Sequence, residues 1–256
     1  MIDFGPLEEP ADDLRQLRRP RRKGSGPKRH GVGRRFLMWL LDLVMIVGGA
    51  LLLSLLIKTF LARSFFIPSG SMQDTLQIND RIVVSQLTPE VFPIERGDIL
   101  VFSDPGMWLS SAPAAPAKPF WVEASDWVLS AFGITAPDSE QHLVKRVIGL
   151  PGDHVECCSD SGKLIINGTE ITEPYLASGA EPSVLEFDVK VPADSYWMMG
   201  DNRANSSDSR YHQDLPSKGF VASKYVVGKA IVVSWPFNRW KWLDNYPDVF
   251  KNVPKP

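Results

Sequence analysis

A continuous apolar segment near the amino terminus is the strongest constraint on how this chain can fold. Residues 36–57 read FLMWLLDLVMIVGGALLLSLLI, and Asp42 is the only charged residue among these 22. At a rise of about 1.5 Å per residue, a helix of this length spans the roughly 30 Å hydrocarbon core of a bilayer. The segment is too long for the apolar core of a secretory signal, and no small-residue cleavage pattern follows it. We therefore interpret it as a retained, single-pass transmembrane helix rather than a buried core helix.

Charge is distributed unevenly on the two sides of this anchor. Of the 28 Lys and Arg and 30 Asp and Glu, ten and five lie in residues 1–35, which leaves 18 and 25 for residues 36–256, a net charge of about −7. A basic flank predicts a cytoplasmic amino terminus, with residues 58–256 on the extracytoplasmic face of the cell membrane. The acidic body argues against nucleic acid as a partner.

The first 35 residues have the composition of a disordered tail, with four prolines and five glycines among their charges. We interpret their basic run as a topology signal that also attracts anionic lipid. A nucleic-acid-binding tail is the alternative interpretation.

Residues 58–256 predict one mainly antiparallel β domain. Short apolar runs rich in β-branched and aromatic residues alternate with turn signals, and no long segment with a 3.6-residue period competes with them. Asn167-Gly168 between two such runs predicts a tight β-hairpin. The predicted strands are residues 81–84, 99–102, 144–148, 163–166, 196–199 and 226–233.

Residues 104–142 break this pattern with prolines, alanines and aromatic side chains, and we interpret them as a variable insertion. Two roles remain open for its tryptophan-rich part: contact with the membrane interface, or packing on the β core. Phe65 and Phe66, which follow the anchor closely, are further candidates to enter the membrane interface.

The two cysteines, Cys157 and Cys158, are adjacent. Neighbouring Cα atoms lie about 3.8 Å apart, which is too close for an ordinary disulfide. A strained vicinal disulfide, free thiols and intermolecular pairing all remain open. Because no second cysteine pair exists and His142, His154 and His212 lack ligand spacing, we expect no metal site.

Two segments contain the residue types of a nucleophile and its base. The first, FFIPSGSMQDTL at residues 65–76, has a turn at Pro68 that would expose a serine hydroxyl. The second, HLVKRVIGLPGD at residues 142–153, places Lys145 on the same strand face as Leu143 and Val147. A lysine in apolar surroundings favours its neutral form, which can act as a base towards serine. The alternative is a strand lysine whose amine reaches water.

A third segment, GDNRANSSDSR at residues 200–210, is too polar for a buried strand. Asp201, Arg203, Asp208 and Arg210 could pair and make the loop rigid, and Ser206 or its neighbour Ser207 could orient a nearby side chain.

These segments, in this order after an amino-terminal anchor, resemble the bacterial type I signal peptidases, membrane-bound serine proteases that remove signal peptides from exported proteins. The resemblance rests on PSGSM, RGDILVF, KRVIGLPGD and GDNRANSSDSR and runs from about residue 65 to residue 235. It implies that Ser71 is the nucleophile and Lys145 the general base, with no histidine needed. It also implies an oxyanion hole formed by the backbone N–H of Ser71 and the hydroxyl of Ser69, and a lysine oriented by Ser206.

The same resemblance implies a membrane helix carrying coiled antiparallel sheets, preproteins as substrates and no cofactor. Small side chains are expected at the first and third positions before the cut, the A-x-A pattern. We also expect the enzyme to be a monomer. Ala204, where many members have Asp, and Gln73-Asp74, where Pro is frequent, depart from the family pattern. The expected pocket residues are Ile67, Pro68, Met72, Leu76, Leu143 and Val144.

Two other classes of function share part of this pattern. A Ser-Lys self-cleaving repressor has related chemistry but is cytoplasmic and carries a DNA-binding head, which the anchor argues against. A non-catalytic, membrane-tethered β module would keep the fold without the chemistry, yet all four polar residues that the catalytic site needs are present.

Overall fold

The computed structural model describes residues 32–109, 119, 122 and 142–256. The chain divides into two compact units, residues 1–49 and 50–256. Helix α1, Val32–Phe60, begins in the first unit and ends in the second. Its stretch Arg35–Ile57 is long and apolar enough to cross a membrane, with a mean hydropathy of 2.6. The side chains along this stretch are exposed apart from Ser54, as a helix surrounded by lipid requires. Most of the predicted disordered tail lies outside the described residues.

The second unit contains a large antiparallel sheet of eight strands. Seven of them follow the spatial order β1-β2-β11-β3-β4-β9-β10, and β12 pairs with β11. Strand β11 pairs with β2 on one side and with β3 on the other. Both pairings contain a shift of register, which lets this long strand follow the twist of the sheet. The strands are β1 Ala62–Phe66, β2 Arg81–Ser85, β3 Ile99–Ser103, β4 His142–Gly149, β9 Ser195–Met199, β10 Phe220–Ala222, β11 Val226–Trp235 and β12 Lys241–Trp242.

A smaller antiparallel sheet of four strands has the order β7-β6-β5-β8. Its members are β5 His154–Cys157, β6 Leu164–Ile166, β7 Thr169–Glu170 and β8 Phe187–Lys190. A short helix, α2 Pro247–Phe250, follows near the carboxyl terminus.

The described residues bury their apolar side chains in three clusters. One joins the small sheet to β9 and α2 around Trp197. A second packs the β1–β2 connection against β2, β3 and β11, and the third lies against β3, β4, β9 and β10 around Phe102. The large sheet therefore has a packed cluster against each face, and the segment between β1 and β2 is held by its own apolar side chains.

The fold class predicted from the sequence is confirmed: the protein is mainly antiparallel β, with one amino-terminal apolar helix. Asn167 and Gly168 have φ angles of 50° and 77° and connect β6 to β7, as the hairpin signal requires. Strands β1, β5, β8, β10 and β12 were not predicted. They are short, and several place charged residues among apolar ones, so their periodicity is weak.

The burial of two aromatic side chains and the bonding of the two cysteines bear on further predictions. Phe65 was expected at the membrane interface, but its side chain is only 4% exposed and packs in the second cluster, so that prediction is wrong. Of the tryptophan-rich insertion, Trp108 is buried in the third cluster. Its other predicted aromatic residues lie outside the described residues. Cys157 and Cys158 are joined in a disulfide.

Candidate active site

The turn between β1 and β2 carries Ser71 and is held in place by the core. The side chains of Ile67, Met72 and Leu76 are buried in the second cluster, so the loop is anchored on both sides of the serine. Two backbone hydrogen bonds tighten it: Gln73 N donates to Gly70 O at 3.2 Å, and Leu76 N donates to Met72 O at 2.8 Å. The alternation of apolar and polar residues in this segment thus produces a compact turn with Ser71 at its centre.

Strand β4 brings Lys145 to this serine. The Nζ atom of Lys145 lies 2.7 Å from the Oγ atom of Ser71, and the lysine side chain is only 3% exposed. Burial lowers the pKa of Lys145 from 10.5 to about 8, and the positive charge of Arg210 acts in the same direction. The carboxylates of Asp208 and Asp201 oppose this shift without cancelling it. At pH 7 about one molecule in ten therefore holds a neutral amine beside the serine hydroxyl.

Ser69 lies on the solvent side of the same turn. Its Oγ atom is 3.4 Å from the Oγ atom of Ser71, and its side chain is exposed. The hydroxyl is therefore next to the nucleophile and free to rotate towards a bound substrate carbonyl.

Ser206 is buried, and Gly200 lies between it and the backbone of Ser71. A Cβ atom built on Gly200 would lie 2.2 Å from the Oγ atom of Ser206 and 2.5 Å from the carbonyl oxygen of Ser71. Among the described residues the hydroxyl of Ser206 has no hydrogen-bond partner of normal geometry, although it contributes to lowering the pKa of Asp208. No hydrogen bond from Ser206 to Lys145 is present, so its role as the orienting residue stays a prediction.

The loop after β9 contains the four charged residues that were expected to pair with each other, but only Asp208 and Arg210 do so. Their side chains are fully buried and 2.9 Å apart. Burial alone would raise the pKa of Asp208, but the hydrogen bonds from Arg210 and from Gly200 N hold it below its usual value. The loop thus keeps a buried carboxylate charged close to the active lysine.

The other two charges of the loop bind partners elsewhere in the chain. Asp201 accepts two hydrogen bonds from Arg146, at 2.8 and 2.7 Å, and a third from Thr75 at 2.5 Å. Arg203 forms a buried ion pair with Glu173. The sequence offered a signal for Arg146, which alternates with Lys145 on β4 and so faces away from it, but none for Glu173. These contacts tie the nucleophile turn, β4 and the segment before β8 to one loop.

The residues predicted to line the substrate pocket divide into two groups. Ile67, Met72 and Leu76 are almost completely buried in the free protein. Pro68, Leu143 and Val144 keep accessible surface, and the last two lie on β4 just before Lys145. The second group therefore has surface available to a substrate, although Leu143 also packs against the third cluster and Val144 against the second.

One group of side chains among the described residues could hold a metal ion, and it lies on the small sheet. It consists of His154, Glu156 and Asp188. Nε2 of His154 contacts Asp188 at 2.5 Å, whereas Nδ1 is 3.5 Å from Glu156. The three ligand atoms lie within 4.8 Å of one another, with His154 and Glu156 half-buried and Asp188 exposed, so the fold brings together a possible ligand group that the spacing of the histidines in the sequence did not indicate.

These features together define a membrane-anchored serine protease. They are a helix apolar enough to cross a membrane, an antiparallel β unit, and a serine hydroxyl hydrogen-bonded to a buried lysine. The family described as signal peptidase, peptidase S26, matches residues 40–235 of this chain. The chain therefore belongs to the signal peptidase family.

Several known proteins are similar to this chain. The chain is 39% identical over 213 residues to signal peptidase I of Mycobacterium tuberculosis, covering 75% of this chain and 71% of that protein. It is 31% identical over 201 residues to signal peptidase I S of Bacillus subtilis, covering 75% of this chain and 87% of that protein. A crystal structure of a signal peptidase I from Enterococcus faecalis is 28% identical and covers 53% of this chain and 95% of that chain, with a TM-score of 0.33. Family membership removes the self-cleaving repressor and the non-catalytic module from consideration.

Proposed function

We propose that this protease removes signal peptides from preproteins by acyl transfer through Ser71, with Lys145 as the general base. The observation that supports this most directly is the 2.7 Å contact between Lys145 Nζ and Ser71 Oγ at a buried position. A lysine surrounded by water would be protonated at neutral pH and could not accept a proton from serine. The buried position of Lys145 lowers its pKa to about 8, so a much larger fraction of the amine is neutral near pH 7 than in an exposed lysine.

In the proposed reaction, the neutral amine of Lys145 accepts the hydroxyl proton while Ser71 Oγ attacks the carbonyl carbon at the end of the signal peptide. The backbone N–H of Ser71 and the hydroxyl of Ser69 donate hydrogen bonds to the oxygen that becomes negatively charged. The lysine ammonium then passes its proton to the leaving amine, which frees the mature protein. Water, activated by the same lysine, releases the signal peptide from the serine.

Incubation of the full chain in detergent with a purified preprotein tests this proposal. We expect a new amino terminus after an A-x-A site, identified by mass spectrometry, and no cleavage by Ser71→Ala. Ser161→Ala is the matched control, because this exposed serine lies in the turn between β5 and β6 and hydrogen-bonds to Ser159 and Glu170. Cleavage by Ser71→Ala at the rate of the unchanged protein would contradict the proposal.

We propose that Pro68, Leu143 and Val144 form the accessible wall of the substrate pocket. The buried side chains of Ile67, Met72 and Leu76 would support this wall from the core. Preproteins with Ala at the first position before the cut should then be cleaved much faster than the same preproteins with Leu or Phe there. Equal rates would contradict this assignment.

The amino terminus is proposed to lie in the cytoplasm and residues 58–256 outside it. The support is the excess of basic residues before the anchor and the acidic balance after it.

For contact with lipid, we propose the aromatic hairpin, defined as residues 235–242 at the junction of β11 and β12. Four of its aromatic side chains are between 48% and 75% exposed. Exposed Trp and Phe side chains grouped together favour the interface of a membrane, where the ring is apolar and the indole N–H reaches water. Lys241 in the same hairpin can attract anionic lipid headgroups. The four aromatic residues are Trp235, Phe237, Trp240 and Trp242.

The hairpin is connected to the nucleophile turn. Arg239 donates two hydrogen bonds to Asp80, at 2.8 and 2.9 Å, and Asp80 is the residue that ends the loop carrying Ser71. A bilayer that binds the hairpin would therefore hold the active site near the surface where preproteins remain tethered. The hairpin replaces Phe65 as a predicted contact, whereas contact by Phe66 and by the part of the insertion outside the described residues stays a prediction.

Quenching of tryptophan fluorescence tests this surface. The full chain is placed in phosphatidylglycerol and phosphatidylcholine vesicles that contain brominated lipid. The double variant Trp240→Phe, Trp242→Phe should lose a large part of the quenched fluorescence. Trp108→Phe is the control, because Trp108 is buried. Equal losses from the two variants would contradict the proposed lipid contact.

A further inference from the structure

The proposed reaction leaves one polar side chain beside the nucleophile turn without a role. Asn202 follows Asp201 directly, at the start of the loop after β9. Its side-chain Nδ2 donates a hydrogen bond to the carbonyl oxygen of Gly70 at 3.1 Å. Its backbone N donates to the carbonyl oxygen of Ser71 at 3.1 Å. Asn202 thus binds the carbonyl groups on both sides of the nucleophile, across 132 residues of sequence.

The first of these bonds determines the direction of a catalytic donor. The carbonyl of Gly70 and the N–H of Ser71 belong to the same peptide unit, which is trans. In a trans peptide the C=O and the N–H point in opposite directions within one plane. A side chain that holds the oxygen of Gly70 therefore also fixes where the N–H of Ser71 points.

The N–H of Ser71 has the properties that the reaction needs. In the part of the chain that the structure describes, no acceptor takes a hydrogen bond from it. Buried backbone donors without an acceptor are rare and unfavourable, so this N–H tends to turn towards any other acceptor. Glycine at position 70 makes such a turn easier, because it tolerates backbone angles that other residues avoid.

We infer that Asn202 is a positioning residue of the oxyanion hole, because its amide holds the Gly70–Ser71 peptide so that the N–H of Ser71 faces the developing negative charge. Gln73 N supports the same carbonyl at 3.2 Å, but it belongs to the turn itself and moves with it. Asn202 is held independently, next to the buried ion pair of Asp201 and Arg146. The inference rests on the proposed function, since it requires Ser71 to be the nucleophile.

The test compares turnover with binding in the full chain in detergent. In Asn202→Ala we expect kcat on a preprotein to fall about 10- to 100-fold, less than or similar to the loss of a direct oxyanion donor, with KM nearly unchanged. The affinity for a substrate-like peptide boronic acid, whose tetrahedral adduct occupies the oxyanion hole, should fall by a similar factor. The affinity for the product signal peptide should not change. If Asn202 served only folding, its loss would not lower kcat and the affinity for the boronic acid while leaving KM and the affinity for the product unchanged.

A second variant keeps the shape of the side chain. Asn202→Asp is nearly isosteric, but its carboxylate cannot donate to the oxygen of Gly70 and repels it, so kcat should fall at least as far as in Asn202→Ala. If Asn202→Ala does not fold, this variant carries the test. Asn245→Ala is the matched control, because it removes one surface hydrogen bond of the same side-chain type, from Asn245 to Glu95, and should leave kcat unchanged.

The outcomes separate the two proposals. If Ser71→Ala is inactive while Asn202→Ala and Asn202→Asp keep full kcat, the role of Asn202 is refuted and the Ser71 mechanism stands. If both Asn202 variants lose kcat but bind the boronic acid as tightly as the unchanged protein, the role is also refuted. If Ser71→Ala remains active, the proposed function itself is wrong.

Discussion

Lys145 is the residue whose chemistry depends most on its surroundings. Burial brings its pKa down to about 8, which places its titration within the range where an enzyme can be assayed. The rate kcat/KM should therefore rise about tenfold per pH unit below pH 8 and level off above it, because only the neutral amine accepts the proton of Ser71. Measurement from pH 5 to 10 with a preprotein tests this. A plateau that begins below pH 7 would point to His142, His154 or His212 as the base instead.

Replacement of the lysine by arginine tests the same assignment without removing the positive charge. A guanidinium does not release its proton at any usable pH, so Lys145→Arg should fold, as circular dichroism would show, and be as inactive as Ser71→Ala. Lys229→Arg is the matched control, because Lys229 pairs with Asp98 at 2.6 Å on β11 and the guanidinium can take over that bond. Substantial cleavage by Lys145→Arg would disprove the Ser-Lys mechanism.

The buried lysine also affects stability, and its effect changes with pH. The pKa of Lys145 is about 8 in the folded protein and near 10.5 when exposed, so between these values the unfolded chain binds more protons. Stability should therefore rise with pH across this window, by about 3 kcal/mol in total. Below pH 8 the folded protein carries a protonated, desolvated amine.

Lys145→Met should remove this pH dependence and be more stable than the unchanged protein at pH 7. Thermal unfolding of both proteins between pH 7 and 10.5 measures the difference, which should shrink as the pH rises. A difference that stays constant over this range would show that Lys145 is not desolvated.

The loop after β9 is the element that brings the site together, and Gly200 is where it comes nearest to the nucleophile turn. A Cβ atom at this position would lie 2.2 Å from Ser206 Oγ and 2.5 Å from Ser71 O, so one of the two segments must move. A displacement of about 1 Å at a catalytic centre can reduce a rate about 100-fold. We expect Gly200→Ala to lower kcat of the folded protein by about that factor and to lower its melting temperature.

Gly228→Ala separates the loss of stability from the loss of activity. A Cβ atom there would lie 2.2 Å from Ser85 O, where β11 pairs with β2. This variant should also melt earlier, but its folded fraction should keep its kcat. Similar kcat values for Gly200→Ala and Gly228→Ala would mean that the contact at Gly200 matters only for folding.

For the whole molecule, the distribution of charge around α1 predicts the orientation in the membrane. In cells stripped of their wall and any outer membrane, so that the cytoplasmic membrane is the remaining barrier, an added protease should digest the catalytic unit of the full chain. An epitope at the amino terminus should remain protected until the membrane is permeabilised, and immunoblotting follows both. Digestion of the amino-terminal epitope before the membrane is permeabilised would contradict the proposed topology.

Short-range patterns in the sequence determined the anchor, most of the long strands and the Asn167-Gly168 hairpin, because each depends on residues only a few positions apart. The pairing of Ser71 with Lys145 was available only through the resemblance to a family. Phe65 shows where local patterns fail: its position after the anchor suggested lipid, but strand pairing of β1 with β2 turns it into the core.

Only the tertiary structure decided which charges and amides meet at the site. Arg203 pairs with Glu173 at a separation of 30 residues, and Asn202 reaches Gly70 across 132. Charged residues occur along the whole chain, and nothing in their spacing says which of them will be buried together. That depends on the order of strands in the sheet and on the bends of their loops, which also exclude water from Lys145 and so set its pKa.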